Sequence, residues 1–217
     1  MEENLRKFGK PAFCLLVLGL ACALPWIGLQ KYQLRVLTLA LAWAIAAVSL
    51  NLILGYTGQA SLAHGAFLGI GAYAFGIFTE RVGLNFWLAL LIAGLCTAFL
   101  GFLVGLPSLR TKGPYFAIVT LCFNVIVFKV FENWTWLSGG IQGQKVPCPS
   151  FLTQRWARYY FLLAALVVVL VVVRFIVKSL LGVTLMSIRS NENLAEAVGI
   201  NSFRYKLLSF TVSCFIV

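Results

Sequence analysis

Apolar residues fill the chain in long runs, and polar residues collect at the gaps between them. A bilayer crossing takes about 20 apolar residues. On that measure spans are predicted near 11–29, 34–55, 60–79, 84–106, 114–131 and 159–177. A last apolar run starts at Leu207 and stops at Val217. Its length is too short to cross, so the expectation is a chain cut off inside a seventh helix. The Val-rich run from Val167 to Val173 has strand propensity. With its flanks it far exceeds the usual strand of about five or six residues. An open sheet edge cannot satisfy its backbone in lipid, so helix is the expectation there too. The fold class is therefore all-α: a polytopic transmembrane bundle of about six spans plus a truncated seventh, forming one domain over 1–217.

Composition supports that reading. Apolar residues make up 61% and charged residues 11% of the chain, against about 25% charged in soluble domains. Every acidic residue is Glu, and the net charge is +11. The bases punctuate apolar runs as loop charges do in membrane proteins, without clustering as a nucleic-acid site would. No nucleic-acid partner is expected; the lipid bilayer is. Five of the six cysteines lie inside apolar runs and none forms a CxxC pair, so each reads as a small hydrophobe, with no metal site.

The N-terminal segment carries Arg6, Lys7 and Lys10 before its apolar run, as a signal peptide does. That run continues to Leu29, beyond a signal core of about 7–15 residues, which favours a retained span over a cleaved one. With the N-terminus inside, the inner segments hold Arg110, Lys112, Lys178, Arg189, Arg204 and Lys206 besides those first bases. The outer segments hold Lys31, Arg35, Arg81, Lys145, Arg155 and Arg158. The bias favours this orientation modestly. The turn at 55–59 is very short, and a broken or re-entrant third segment would reverse all that follows.

The most informative stretch is Gly55–Tyr73, glycine-rich and uncharged. Each glycine costs a soluble helix about 0.8–1 kcal/mol against Ala; in lipid, small residues let helix backbones touch. Gly65 and Gly69 are four apart, as are Gly101 and Gly105, the spacing of helix-packing contacts. Thr57, Gln59, Ser61 and His64 are polar within this stretch and are candidates for a solute path. His64 is the only histidine. Without acidic or Cys neighbours it reads first as a hydrogen-bonded interface residue, and second as part of that path. Lys129 and Glu132, three apart, pair on one face at the end of a span.

The 178–206 loop reads as carrying a short helix. Ser190 can cap it, Glu192 lies in its first turn, and Leu194, Ala197 and Val198 form one apolar stripe before Gly199 stops it. At about nine residues it is shorter than the roughly 12–15 that stand alone. It must pack on its own bundle, lie in the headgroup plane, or dock into a cytosolic partner. No phosphate-binding GxxxxGK[ST], HExxH or GxSxG motif occurs, and no span holds an acidic pair. No enzymatic activity is expected, and any uphill transport would draw its energy from another subunit.

Gly55–Tyr73 with Gly83-Leu-Asn-Phe-Trp87, and Leu106-Pro-Ser-Leu-Arg-Thr-Lys-Gly-Pro-Tyr-Phe-Ala-Ile-Val-Thr-Leu121 running on to Ser138-Gly-Gly140, resemble the permease subunits of bacterial branched-chain amino acid ABC importers. Ala195-Glu-Ala-Val-Gly-Ile-Asn201 is similar to that family's cytoplasmic coupling region, with Val198 set between Ala197 and Gly199. The resemblance implies an inner-membrane permease that pairs with a second, homologous permease, two cytosolic ATPase subunits and a periplasmic solute-binding protein. It implies no cofactor on this chain, ATP and Mg belonging to the ATPases. Coupling would fall on Leu194, Glu196, Ala197 and Gly199. Relatives of the family move urea and short-chain amides, which leaves such an importer as an alternative. A self-contained channel or secondary carrier, and a non-transporting scaffold, are the readings from other classes.

Overall fold

The computed structural model describes Gly19 and residues 30–217, except 112, 141, 142, 145, 147 and 148. The span expected over 11–29 lies outside the described residues, apart from Gly19. The helices are α1 (Lys31–Thr57), α2 (His64–Glu80), α3 (Phe86–Ser108), α4 (Pro114–Asn133), α5 (Thr135–Ser138), α6 (Arg155–Lys178), α7 (Leu180–Ser190), α8 (Glu192–Ala197) and α9 (Ser202–Ile216), with a 3₁₀ turn at Ser150–Leu152. No strand occurs among the described residues, and the Val-rich run lies inside α6. Among those residues α1, α3, α4 and α6 are long and apolar enough to cross a bilayer. The chain is an all-α polytopic membrane protein.

Local chemistry sets the helix ends. Gln30 and Gln33 form a capping box before α1, Gln30 N–H donating to Gln33 Oε1 at 3.0 Å. Pro114 opens α4, where its missing N–H costs nothing. Asn201 caps α9 by accepting from Arg204 N–H at 3.2 Å. The last helix therefore starts at Ser202, before the apolar run that suggested it.

The organising element is α9, packed against α1 on one side and α3 on the other. Its pattern is inverted for lipid. Ser202, Lys206, Ser209 and Ser213, spaced four, three and four, are all buried. Ser209 and Ser213 donate to Leu52 and Ser49 carbonyls of α1, at 3.3 and 2.5 Å. On its other flank Phe210 meets Phe67 and Phe116 edge-on, with ring centroids 5.7 and 6.0 Å apart. Ile53, Ala63, Leu109, Leu207 and Cys214 complete this cluster.

Glycines on α3 admit α9. A Cβ added at Gly101 would sit 2.7 Å from Cβ and Sγ of Cys214, and one at Gly105 would sit 2.7 Å from Leu207 Cδ1. The pairings 49 with 213, 52 with 209, and 105 with 207 run α9 antiparallel to both neighbours. The ends of α1 and α3 and the start of α9 therefore share one end of the bundle with the 178–206 region. At the opposite end Arg81, after α2, donates to the Trp136 carbonyl and lies over its ring.

A bulky residue at Gly101 is expected to lower stability by about 1–3 kcal/mol through overpacking. Gly101→Leu should lower the thermal unfolding midpoint in detergent. Gly65→Ala, whose added Cβ finds only ordinary contact at 3.6 Å, should leave it unchanged. Equal effects of the two would contradict this packing.

Candidate functional site

The predicted third span does not begin at residue 60. α1 ends at Thr57, where Gly58 takes the left-handed conformation (φ 72°) that only glycine adopts without strain. Residues 58–63 are not helical, and Gln59, Ser61 and Ala63 among them are buried. α2 starts at His64, whose Nε2 lies 2.7 Å from Ser213 Oγ, which in turn bonds the Ser49 carbonyl. Ser49 precedes the end of α1 by eight residues, about 12 Å at about 1.5 Å per residue. The chain thus turns at Gly58, runs back into the protein without helix, and resumes as α2 at depth. The 17 residues of α2 then cover about 25 Å. Segment and helix together make one crossing, so the alternation of later spans is kept.

Irregular backbone at this depth is tolerated only where protein satisfies it. Leu62 N–H donates to Thr120 Oγ1 of α4 at 3.1 Å, and Ala63 N–H to Ser61 Oγ at 3.4 Å. The first intrahelical bond of α2 is Phe67 N–H to Ala63 C=O. The N–H groups of His64, Gly65 and Ala66 precede it and form the positive end of the helix.

The four polar residues singled out in the sequence are all buried here. Thr57 turns its hydroxyl back to the Ile53 carbonyl at 2.7 Å. Ser61 serves the local turn. Ser213 has one hydroxyl proton and spends it on Ser49, so His64 Nε2 must donate to Ser213. That leaves Nδ1 as an acceptor, buried without a partner; Gln59 Oε1 is a second such acceptor. Two orphan acceptors in one short break call for donors, as a water or a ligand N–H would supply.

Beside the break a groove of about 380 Å³ opens between α2 and α4. Gly65, Gly69 and Tyr73 form one wall; Asn124, Phe128 and Phe131 form the other. Thr57, Gln59, Ser61 and His64 are not among its lining residues. Gly65 and Gly69 leave the space: their nearest neighbours across it are Asn124 Oδ1 at 3.6 Å and a Phe131 ring atom at 3.7 Å from an added Cβ. Tyr73 stacks on Phe131 with centroids 4.3 Å apart. Glu132 lies at one end, paired with Lys129 at 2.6 Å. Asn124, missed from sequence, puts a half-buried amide in the apolar middle of α4, between Leu121 and Phe128. Its polarity inside a span was the available signal.

The 178–206 region is two helices rather than a loop with one. Ser190 belongs to α7, donating to the Met186 carbonyl at 3.1 Å, and is not the cap. Asn191 caps α8, accepting from Leu194 N–H at 3.1 Å. α8 is six residues long, shorter than expected. Gly199 (φ 91°) ends it, with Ile200 N–H reaching the Ala195 carbonyl at 3.1 Å. Leu194 and Val198 are 64% and 75% exposed, Glu196 and Ala197 are exposed, and Ala195 is the one buried residue of α8. Among the described residues no group of His, Cys or Glu is placed to hold a metal ion.

A buried polar break in one crossing of a helical membrane domain is a feature that transporter folds share. Residues 32–216 match the family described as branched-chain amino acid transport system, permease component, and the chain belongs to that family. It is 32% identical over 93% of its length to the high-affinity branched-chain amino acid transport system permease protein LivM of Escherichia coli (strain K12). It is 31% identical, over the same share, to the protein of that name from Salmonella typhimurium (strain LT2). The chain spans about half of these relatives, 54% of each. No solved structure matches.

Ser213→Ala is expected to strand the buried His64 ring and remove the extra bond to the Ser49 carbonyl, costing about 1–3 kcal/mol. Thermal unfolding in detergent would read this as a lowered midpoint. Ser187→Ala, which removes only an exposed bond to the Val183 carbonyl of its own helix, should leave the midpoint in place.

Proposed function

We propose that this chain is the membrane-spanning part of a permease subunit in an ATP-driven importer for branched-chain or related amino acids, in the bacterial inner membrane. Its family membership over residues 32–216 is the observation that carries this reading. The partners are a second, homologous permease, two cytosolic ATPase subunits and a periplasmic solute-binding protein. ATP and Mg act on the ATPases, and this chain catalyses no reaction.

The α2–α4 groove supplies one wall of the solute path. Its volume lies at the small end of ligand pockets, about 300–1,000 Å³. Asn124 and the N-terminal N–H groups of α2 offer hydrogen bonds to a zwitterion, while Tyr73, Phe128 and Phe131 face an aliphatic side chain. The orphan acceptors Gln59 Oε1 and His64 Nδ1 support a wet seam beside it. At the 178–206 end, Leu194 and Val198 stand exposed on α8 with Glu196 and Ala197, ahead of the turn at Gly199. An apolar face on so short a helix needs a partner, and the ATPase subunit is that partner.

In the assembled importer, Asn124→Leu is expected to raise the KM for uptake about tenfold, the worth of one lost polar contact, with ATPase subunits still bound. Leu194→Asp should reduce ATPase co-purification about tenfold while membrane insertion persists. Uptake by the permease alone in ATP-free liposomes would overturn the reading in favour of a self-contained carrier.

A further inference from the structure

Two polar ties join the α7–α8 region to the break, and neither is needed to expose the apolar face of α8. The first is an ion pair. Lys206 Nζ of α9 lies 2.7 Å from Glu192 Oε1, in the first turn of α8. The lysine side chain is only 4% exposed and the glutamate 28%. A buried pair of this kind strands a charge when either partner is removed. The second tie is Arg189, in the last turn of α7. Its guanidinium donates to the Gly55 carbonyl in the last turn of α1. A cation there also meets the negative end of the α1 dipole. The stem of the same side chain, Cγ, lies 3.2 Å from where a Cβ on Gly58 would be.

These ties reach the break by different routes. Lys206 shares a face of α9 with Ser209 and Ser213, which hold Leu52, Ser49 and His64. One helix, about 10 Å from 206 to 213 at about 1.5 Å per residue, therefore connects the start of α8 to the start of α2. Arg189 acts on the other side of the break, at its turning point. Asn191 alone separates α7 from α8, and its side chain and carbonyl both accept from α8. A displacement of α8 is thus delivered to α7 and to α9 together. Residues 58–63, which lack helical bonds, lie on the path between them.

We propose that Arg189 and the Lys206–Glu192 pair are positioning residues that convert movement of α8 into rearrangement of residues 58–64. This deepens the permease reading and rests on it. Lys206 and Arg189 act through the backbone and through His64, not by contact with the solute.

The test uses the full-length permease in its assembled importer. Lys206→Met, Glu192→Gln and Arg189→Ala are expected to keep the ATPase subunits bound and hydrolysing, while solute moved per ATP falls about tenfold, a usual size for coupling between sites. The charge swap Glu192→Lys with Lys206→Glu should restore most of that ratio, and Arg189→Lys part of it. Hydrogen exchange supplies a readout that simple destabilisation would not move. In the parent complex, ATP should change protection of the 58–64 amides; in Lys206→Met and Arg189→Ala that change should vanish while basal protection stays. An unchanged transport ratio in both variants, or a swap that rescues nothing, would overturn the linkage. A parent permease that binds no ATPase subunit would instead sink the permease reading on which the linkage rests.

Discussion

Close approach of α9 to α1 and α3 is the constraint on which the rest of this fold depends. Between lipid-facing helices water supplies no hydrophobic driving force, so association comes from packing and from hydrogen bonds. Gly101 and Gly105 let α3 come near enough to touch Cys214 and Leu207. On the opposite flank Ser209 and Ser213 bond carbonyls that already serve α1. Such bonds average about 0.6 kcal/mol each in a membrane protein where they were measured. Their value here lies in register as much as in energy. Ser213 can reach both Ser49 and His64 only when the two helices sit at one height.

That register makes the break possible. A stretch such as 58–63 would leave backbone groups bare in hydrocarbon, each at a cost of several kcal/mol. Thr120 meets one of them from α4, Ser61 another, and the ring of Phe210 closes beside His64 with centroids 6.5 Å apart. A polar opening in the crossing is therefore a consequence of tight packing elsewhere. The same economy explains the groove. Gly65 and Gly69 have the spacing of Gly101 and Gly105, but their neighbours Asn124 and Phe131 stand about an ångström further from an added Cβ than Cys214 and Leu207 do, and leave a groove.

The sequence carried the long helices because length and apolarity are local quantities. The starts and ends of α1, α3, α4 and α6 fall within a few residues of expectation. It did not carry what depends on two distant segments. The third crossing reads from residue 60 either as continuous or as broken, since glycine and alanine are as apolar inside a break as inside a helix. The difference is made by Gly58 turning and by Thr120 accepting the chain, 58 residues away. Lys206 reads as a loop cation and is buried; its partner Glu192 lies fourteen residues off, beyond any helical spacing. Ser190 and Asn191 are both good caps, and only the last turn of α7 decides between them. Asn124 was legible as a polar residue in a span, yet the groove that gives it meaning exists only once α2 and α4 meet.

The distribution of ties along the bundle also has a consequence for α2. At the 178–206 end the polar ties are Arg189 to Gly55 and Lys206 to Glu192. At the opposite end they are Arg81 to Trp136 and Gln144 to Glu80, the latter at 2.7 Å. Between the ends the ties gather around the break, from Ser209, Ser213 and Thr120, and beyond it α2 and α4 meet mostly by shape. α2 is thus fixed at its start through His64 and at its finish through Glu80 and Arg81, and its middle meets α4 across a groove. Among the described helices, only α2 has the break at one end and Trp136 and Gln144 at the other. A shift of its start that leaves the Glu80 and Arg81 ties in place tilts α2 about its finish, and the α2–α4 groove lies along that lever.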